Sequence, residues 1–331
     1  MSLPRLILAI TTLCMALTAD HALADREAIG QSVGCSADGV WLQVLGSGGP
    51  ELSAGRASSG YLLWHEGVAR VLVDVGGGVA LRFNQAGARF EDLDLIALTH
   101  LHIDHSLDLA ALLKASYFGV RRRDLPVLGP TGSRFTADLQ SFVRRLLASD
   151  GAWPYLDDYL DPQRGDYAIT PLTLDAESDA HWMHRFGRTR DIAVSAVAVH
   201  HGPIPAIAYR VDIGEATVVF TGDTTNRNDR IRLLAGQDTE LLVAHHAITG
   251  RSGRGARGLH MPPAMIGQLA ADTDPDLLVL SHRMRRTLGH ELRSQQSIRR
   301  RWRGNLVFAE DLDCFAVVPR ARPPGAPLPH S

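Results

Sequence analysis

The chain has 331 residues, 45% of them hydrophobic, which is enough for one large globular domain or two small ones. Its 34 Lys and Arg against 36 Asp and Glu leave a formal charge of -2, which excludes a global basic field of the kind that holds nucleic acid. No internal repeat is evident.

The N-terminus reads as an export signal. Arg5 supplies positive charge, Leu6 to Leu17 an apolar core, and Ala22-Leu23-Ala24 a small-x-small cleavage site. Residues 1–24 are therefore expected to be removed before Asp25, giving a periplasmic or secreted product with no stable membrane insertion. An uncleaved anchor is disfavoured because the apolar stretch is shorter than the ~20 residues a span requires. Thr12-Leu13 before Cys14 does not form a lipidation site. Cleavage leaves Cys35 and Cys314, which in an oxidising compartment either pair, tying the first strand region to the last, or stay as two separate buried thiols.

Val40–Leu45 and Tyr61–Trp64 read as strands flanking the glycine-rich turn GSGGP, and Arg70–Val75 as a third, followed by Gly76, Gly77 and Gly78 and a helix over Val79–Ala86. Asp94–Thr99 is a strand, and Ser106–Lys114 a helix opened by a serine cap. Leu125–Gly132 gives a strand ending in a turn, and Arg134–Ala148 a helix. Residues 149–190 are the least regular, and read equally as a lid over a pocket or as a surface insertion; His181 and His184 within them read as exposed or capping. Strands are expected over Ile192–Val199, Ala206–Ile213, Thr217–Thr221, Leu241–Ala244 and Leu277–Ser281, each ending near polar residues, and the end from Pro319 reads as a flexible Pro/Arg-rich tail. The alternation of strand, loop and helix predicts layers of helix and sheet around one core.

Between the strand Asp94–Thr99 and the next helix lies the sequence His100-Leu101-His102-Ile103-Asp104-His105. Four strong ligand side chains in six residues are hard to explain without a metal. Imidazole and carboxylate suit zinc, and also accept iron or manganese. Later strand ends supply further ligands: His200-His201, Asp223 in TGDT and His282 in LVLSH. Strand alternation turns only one of the neighbouring histidines inward, and His201, against the Gly202-Pro203 turn, is preferred. Asp223 suits a bridging role, since its two oxygens can face two ions.

Taken together, LGSGGP followed by Arg56, Asp74 in VDVGG, THLHIDH, LGPTG, HHGPIPAIAYR, FTGDT, GLHMPP and LVLSH resemble the metallo-beta-lactamase-fold hydrolases, in the branch that includes ribonuclease Z and related phosphodiesterases and arylsulfatases. The resemblance implies an α/β fold, a four-layer αββα sandwich, over residues 25–319, with the tail at 320–331 outside it. It implies two zinc ions: one held by His100, His102 and His201, the other by Asp104, His105 and His282, with Asp223 between them. Asp74 would steady the histidine loop without being a ligand. Asp104 and His260 are the candidate catalytic residues, and a hydroxide between the metals the expected nucleophile.

The implied substrate is a small anionic ester, a phosphodiester or aryl sulfate; lactones and beta-lactams are alternatives within the fold. Arg251 to Gly258 (RSGRGARG), with Arg283, Arg285 and Arg286, would suit such an oxyanion; a solvated loop is the alternative for the first cluster. Related di-iron redox proteins commonly place a glutamate where His102 stands, which favours zinc hydrolysis. Ribonuclease Z relatives carry a glutamate at the position of His246, and small hydroxyl residues where Met261 and Pro262 follow His260. Transfer RNA is therefore not expected as a substrate. A homodimer is compatible with the sequence.

Overall fold

A computed structural model describes residues 35, 37–52 and 55–320. Val-, Leu- and Ile-rich runs, bounded by Gly, Asp and Thr where the backbone must turn, assemble into two seven-stranded sheets. In spatial order the first is β14 (Cys314–Val317), β1 (Val40–Gly46), β2 (Gly60–His65), β3 (Val68–Val73), β4 (Leu95–Ala97), β5 (Leu125–Pro130) and β6 (Ile169–Leu174). The second is β13 (Asn305–Phe308), β12 (Leu277–Ser281), β11 (Leu241–His245), β10 (Ala216–Phe220), β9 (Ile204–Ile213), β8 (Ile192–His201) and β7 (His181–Phe186). Each sheet is part antiparallel and part parallel: pairing switches at β3 in the first and at β10 in the second.

Leu63, Val73, Tyr209, Val218 and Phe220 belong to the core between the sheets. The helices Val79–Gln85, Leu109–Ser116 and Leu139–Leu147 contribute Phe83, Leu113 and Val143 to a core on the outer face of the first sheet. Ile231, Ile266 and Ile298, from the helices Arg230–Ala235, Pro263–Thr273 and Glu291–Arg299, cover the second. This is the four-layer sandwich expected from the sequence. Among the described residues no helix is long and apolar enough to cross a membrane.

Several boundaries differ from expectation for identifiable reasons. Instead of one helix over Ser106–Lys114 there are two, Ile103–Ser106 and Leu109–Ser116. Ser106 closes the first and donates its hydroxyl to the carbonyl of His102, and the Asp108 carboxylate accepts from the backbone of Gly78 and Ala80, serving the start of a neighbouring helix. The helix expected from Arg134 begins at Leu139, because Asp138 caps it through Ser141 N. Residues 149–190 supply β6 and β7, the edge strands beside β5 and β8, and a 3-10 helix over Pro154–Leu160; the segment is built into the sandwich and is not a separate cover. His181 and His184 are exposed on β7.

Cys35 and Cys314 form a disulfide across a sequence separation of 279, so pairing is the outcome of the two alternatives. Arg320 docks, its backbone N–H on Glu240 and its guanidinium on Asp276. The expected leader, residues 1–24, and the tail beyond Arg320 lie outside the described residues. Closing so long a loop restricts the unfolded chain, so Cys35→Ser with Cys314→Ser should cost about 2–5 kcal/mol. Urea unfolding of the oxidised protein against the double variant measures it.

Candidate metal centre

The histidine loop leaves β4 at the point where β3 ends in Asp74, and the two strand ends are held together by that one carboxylate. Asp74 accepts from Thr99 N at 2.7 Å and Thr99 Oγ1 at 2.8 Å, and lies 2.8 Å from His105 Nδ1. With Nδ1 engaged there, His105 presents Nε2 to the interior. Asp74 has φ 57° and His282 φ 55°, left-handed backbone that non-glycine residues adopt only where the surroundings enforce it. Gly76 is required by close approach, because a Cβ there would stand 2.1 Å from the carbonyl oxygen of Asp104.

Two groups of ligand-type atoms result. His100, His102, His201 and Asp223 form one; His105, Asp223, His245 and His282 form the other, the atoms of each lying within 4.8 Å of one another. Asp223 belongs to both. Its Oδ2 is 3.9 Å from His100 Nε2, 3.7 Å from His201 Nε2 and 3.8 Å from His105 Nε2, while Oδ1 is 3.4 Å from His282 Nε2. Asp104 adjoins the second group, its Oδ2 3.4 Å from His105 Nε2 and 3.2 Å from His282 Nε2. His201 donates through Nδ1 to the carbonyl of Leu259 at 2.8 Å, whereas His200 turns to Thr225, so alternation selects His201 as expected. All seven residues expected as ligands converge here.

The donor set fits divalent cations. His105 Nε2 is buried, makes no hydrogen bond and faces two carboxylates. Burial drives the pKa of His100 well below its ordinary value and that of His201 down to about 4, so both are neutral ligands at neutral pH. Burial opposes protonation of His105 and His282 too, but the charges of Asp104 and Asp74 raise the first well above its ordinary value, and chiefly Asp223 raises the second. Asp104 and Asp223 are held low: burial acts to raise them, and the charge of His105 on Asp104 and of His282 on Asp223 outweighs it. The carboxylates thus demand positive charge at the place where a cation would sit.

Tyr61 and His245, which the sequence did not mark, complete the site. His245 accepts a place between Asp223 Oδ1 (2.8 Å from its Nδ1) and the hydroxyl of Tyr61 (3.0 Å from its Nε2), so both ring nitrogens are engaged in steering the carboxylate. The only signal for it was its position at a strand end, shared with the ligands. His260 is buried, its Nδ1 3.6 Å from Asp223 Oδ1. His246 points to the opposite face of β11, with Nε2 2.8 Å from Ser294 Oγ and its ring against Phe308, and does not take over the missing glutamate's contact with His260. Arg283, expected beside the metals, pairs with Glu291 at 2.5 Å and Glu310 at 2.6 Å; a buried guanidinium finds its acids outside the site. Arg257 bonds the carbonyls of Gly250 and Ser252 within its own loop, and Arg286 bonds Met284 Sδ.

Residues 54–282 match the metallo-beta-lactamase superfamily, and the chain belongs to that family. A ribonuclease Z of Mycobacterium sp. (strain KMS) is 32% identical over 191 residues, 56% of this chain and 61% of that protein, so the match spans less than two thirds of the relative. The fold is shared with the metallo-beta-lactamase fold protein YhfI from Bacillus subtilis (TM-score 0.65, 21% identity, 84% of this chain and 99% of that one). Human tRNase Z, short form, superposes with a TM-score of 0.62 at 20% identity, over 84% of this chain and 99% of its own.

The close approach at Gly76 gives a test of how tightly the histidine loop must be held. Gly76→Ala should displace the Asp104 backbone, lower the metal content of the purified protein severalfold and cost about 1–3 kcal/mol. Gly77→Ala, whose Cβ meets only Leu107 Cδ2 at 3.3 Å, should keep the metal. Elemental analysis and thermal unfolding of the two variants distinguish them.

Proposed function

We propose that the protein is an exported, dinuclear zinc-dependent hydrolase acting on a phosphodiester or an aryl sulfate ester. The observation that carries the reading is Asp223, shared between two groups of imidazoles with an oxygen toward each. The likeness to proteins named ribonuclease Z favours phosphodiester chemistry. Export rests on the charge, apolar core and cleavage signal of residues 1–24, and the disulfide accords with an oxidising compartment. The substrate is a small anionic ester, with transfer RNA not expected because of the altered surroundings of His260.

When bound, a pair of divalent cations supplies Lewis acidity and charge beside the scissile group. His100, His102 and His201 would hold one, and Asp104, His105 and His282 the other, with Asp223 between. The chain's own part is to fix these donors and to move a proton. Asp74 orients His105, the Leu259 carbonyl orients His201, and the Tyr61–His245 pair orients Asp223. His260 turns Nδ1 toward Asp223, which leaves Nε2 to give a proton to the departing oxygen. Met261 behind it is buried among the apolar residues of the outer layer and anchors the ring's backbone.

Zinc-loaded protein should hydrolyse bis(p-nitrophenyl) phosphate, and His102→Ala should abolish turnover. His260→Ala should lower kcat by about 10²–10⁴ with both metals retained, the range for a lost general acid. Loss of zinc in that variant would make His260 a structural residue. Turnover of the matching aryl sulfate alone would move the assignment to an arylsulfatase, and neither activity would direct it to lactones and beta-lactams.

A further inference from the structure

Most of the buried or half-buried arginines in this fold are paired: Arg70 with Asp94 and Asp191, Arg210 with Asp212 and Asp238, and Arg283 with Glu291 and Glu310. Exposed arginines on the outer face of the second sheet are arranged differently. The helix Glu291–Arg299 and the loop after β11 border an open cavity of about 580 Å³ lined by Arg251, His290, Arg293, Gln296, Ser297 and Arg300 among others. Its lining contains no acid. The three arginine side chains make no ion pair or hydrogen bond among the described residues, and Glu291, the nearest acid on the helix, is turned away to Arg283.

The arrangement follows from helical spacing. Arg293, Gln296, Ser297 and Arg300 recur at three- and four-residue intervals and share one face, continued backwards by His290 just before the helix. Arg251 closes the cavity from the opposite wall. Three guanidinium groups around one concavity raise the local positive potential, which attracts an anion most strongly at low salt. Their planar N–H forks match the oxygens of a tetrahedral dianion, and the serine and glutamine side chains add neutral donors. The volume lies in the range of ligand pockets.

We propose that this cavity is a binding site for a phosphate or sulfate group, distinct from the metal centre. Thr249, on its rim, follows His245 by four residues, so the cavity's edge stands at most about 14 Å from the end of β11. That distance permits the bound anion to be a second phosphate of a substrate reacting at the metals, the form of the proposal that rests on the hydrolase reading; a free anion is the other source. Ser294 lines the cavity and bonds His246, the residue after His245, so the cavity is linked through two side chains to the end of the strand that steers Asp223.

The experiment compares metal-loaded wild type with Arg293→Gln/Arg300→Gln, both changes at exposed positions, one within the helix and one at its C-terminal cap. Calorimetric titration with inorganic phosphate at low salt should show a site that the double variant binds at least tenfold more weakly, with unchanged metal content and thermal midpoint. Identical isotherms would overturn the proposal whatever the metal centre does. The source is then read from two chromogenic esters, thymidine 5′-(p-nitrophenyl phosphate) and the same ester of a tetrathymidylate. A tenfold rise in KM for the longer ester alone, at constant kcat, identifies a substrate phosphate. Unchanged KM for both esters, with phosphate binding lost, identifies a free anion. If neither ester is cleaved, the hydrolase reading fails while the phosphate titration still decides the site.

Discussion

A carboxylate with 2% of its surface exposed cannot keep its charge without compensation, and Asp223 is such a group. Nitrogen atoms of His100, His105, His201, His245, His260 and His282 all lie within 3.9 Å of it. Those imidazoles come from both sheets, so satisfying this one charge requires the two halves to be in register. The contact that allows it is steric as well as electrostatic. Gly222, at φ 57°, brings the end of β10 so near the end of β4 that a Cβ would stand 2.9 Å from Thr99 Cβ. Thr99 in turn bonds Asp74, and Asp74 orients His105. The shared carboxylate and the histidine loop are therefore positioned by the same threonine.

The topology explains why the site falls where it does. In each sheet the strands run antiparallel up to one strand and parallel beyond it, and the switch strands are β3 and β10. Connections diverge at such a point and leave a crevice beyond the carboxyl ends of the strands. Asp74 follows β3, the loop His100–His105 follows β4, Asp223 follows β10, His245 ends β11 and His282 follows β12. Facing switch points from two packed sheets give one crevice lined from both sides. His201 is the exception, arriving at the end of the antiparallel strand β8, and it needs the Leu259 carbonyl from a distant loop to aim its ring.

How much of this was legible in the sequence depended on whether a residue's chemistry was unusual for its local pattern. Four ligand types in six residues cannot be mistaken for a core strand, and Asp223 and His282 interrupt apolar runs where a strand must end. Tyr61 lies within GYLLWH and His245 within LLVAH, where an aromatic or a lone imidazole reads as packing; only the fold shows that they touch each other. The helix Glu291–Arg299 escaped because its buried residues are Ser294 and Ile298, too small an apolar stripe to register as a period. β7 (HWMHRF) is an edge strand with a single buried residue, Phe186, so no clean alternation marks it. Arg283 misled for the opposite reason: adjacency to His282 in sequence suggested a shared site, whereas the backbone turn at His282 sends the two side chains to different acids.

That turn also bears on what the site can do. Left-handed backbone at a non-glycine residue costs of order 1–3 kcal/mol and persists only where neighbouring contacts over-determine it. At His282 those contacts are two carboxylates, Asp104 and Asp223, and the backbone of Gly49, where a Cβ would stand 2.7 Å from the ring. At Asp74 they are Thr99 and His105. Both strained residues therefore sit on the side of the site that includes Asp104 and His105. The other side, His100, His102 and His201, has ordinary backbone and one half-buried imidazole, His102. The two positions are thus built unequally: one rigid and enclosed, the other more open. An enclosed position favours retention of a cation, and a more open one exchange with solvent.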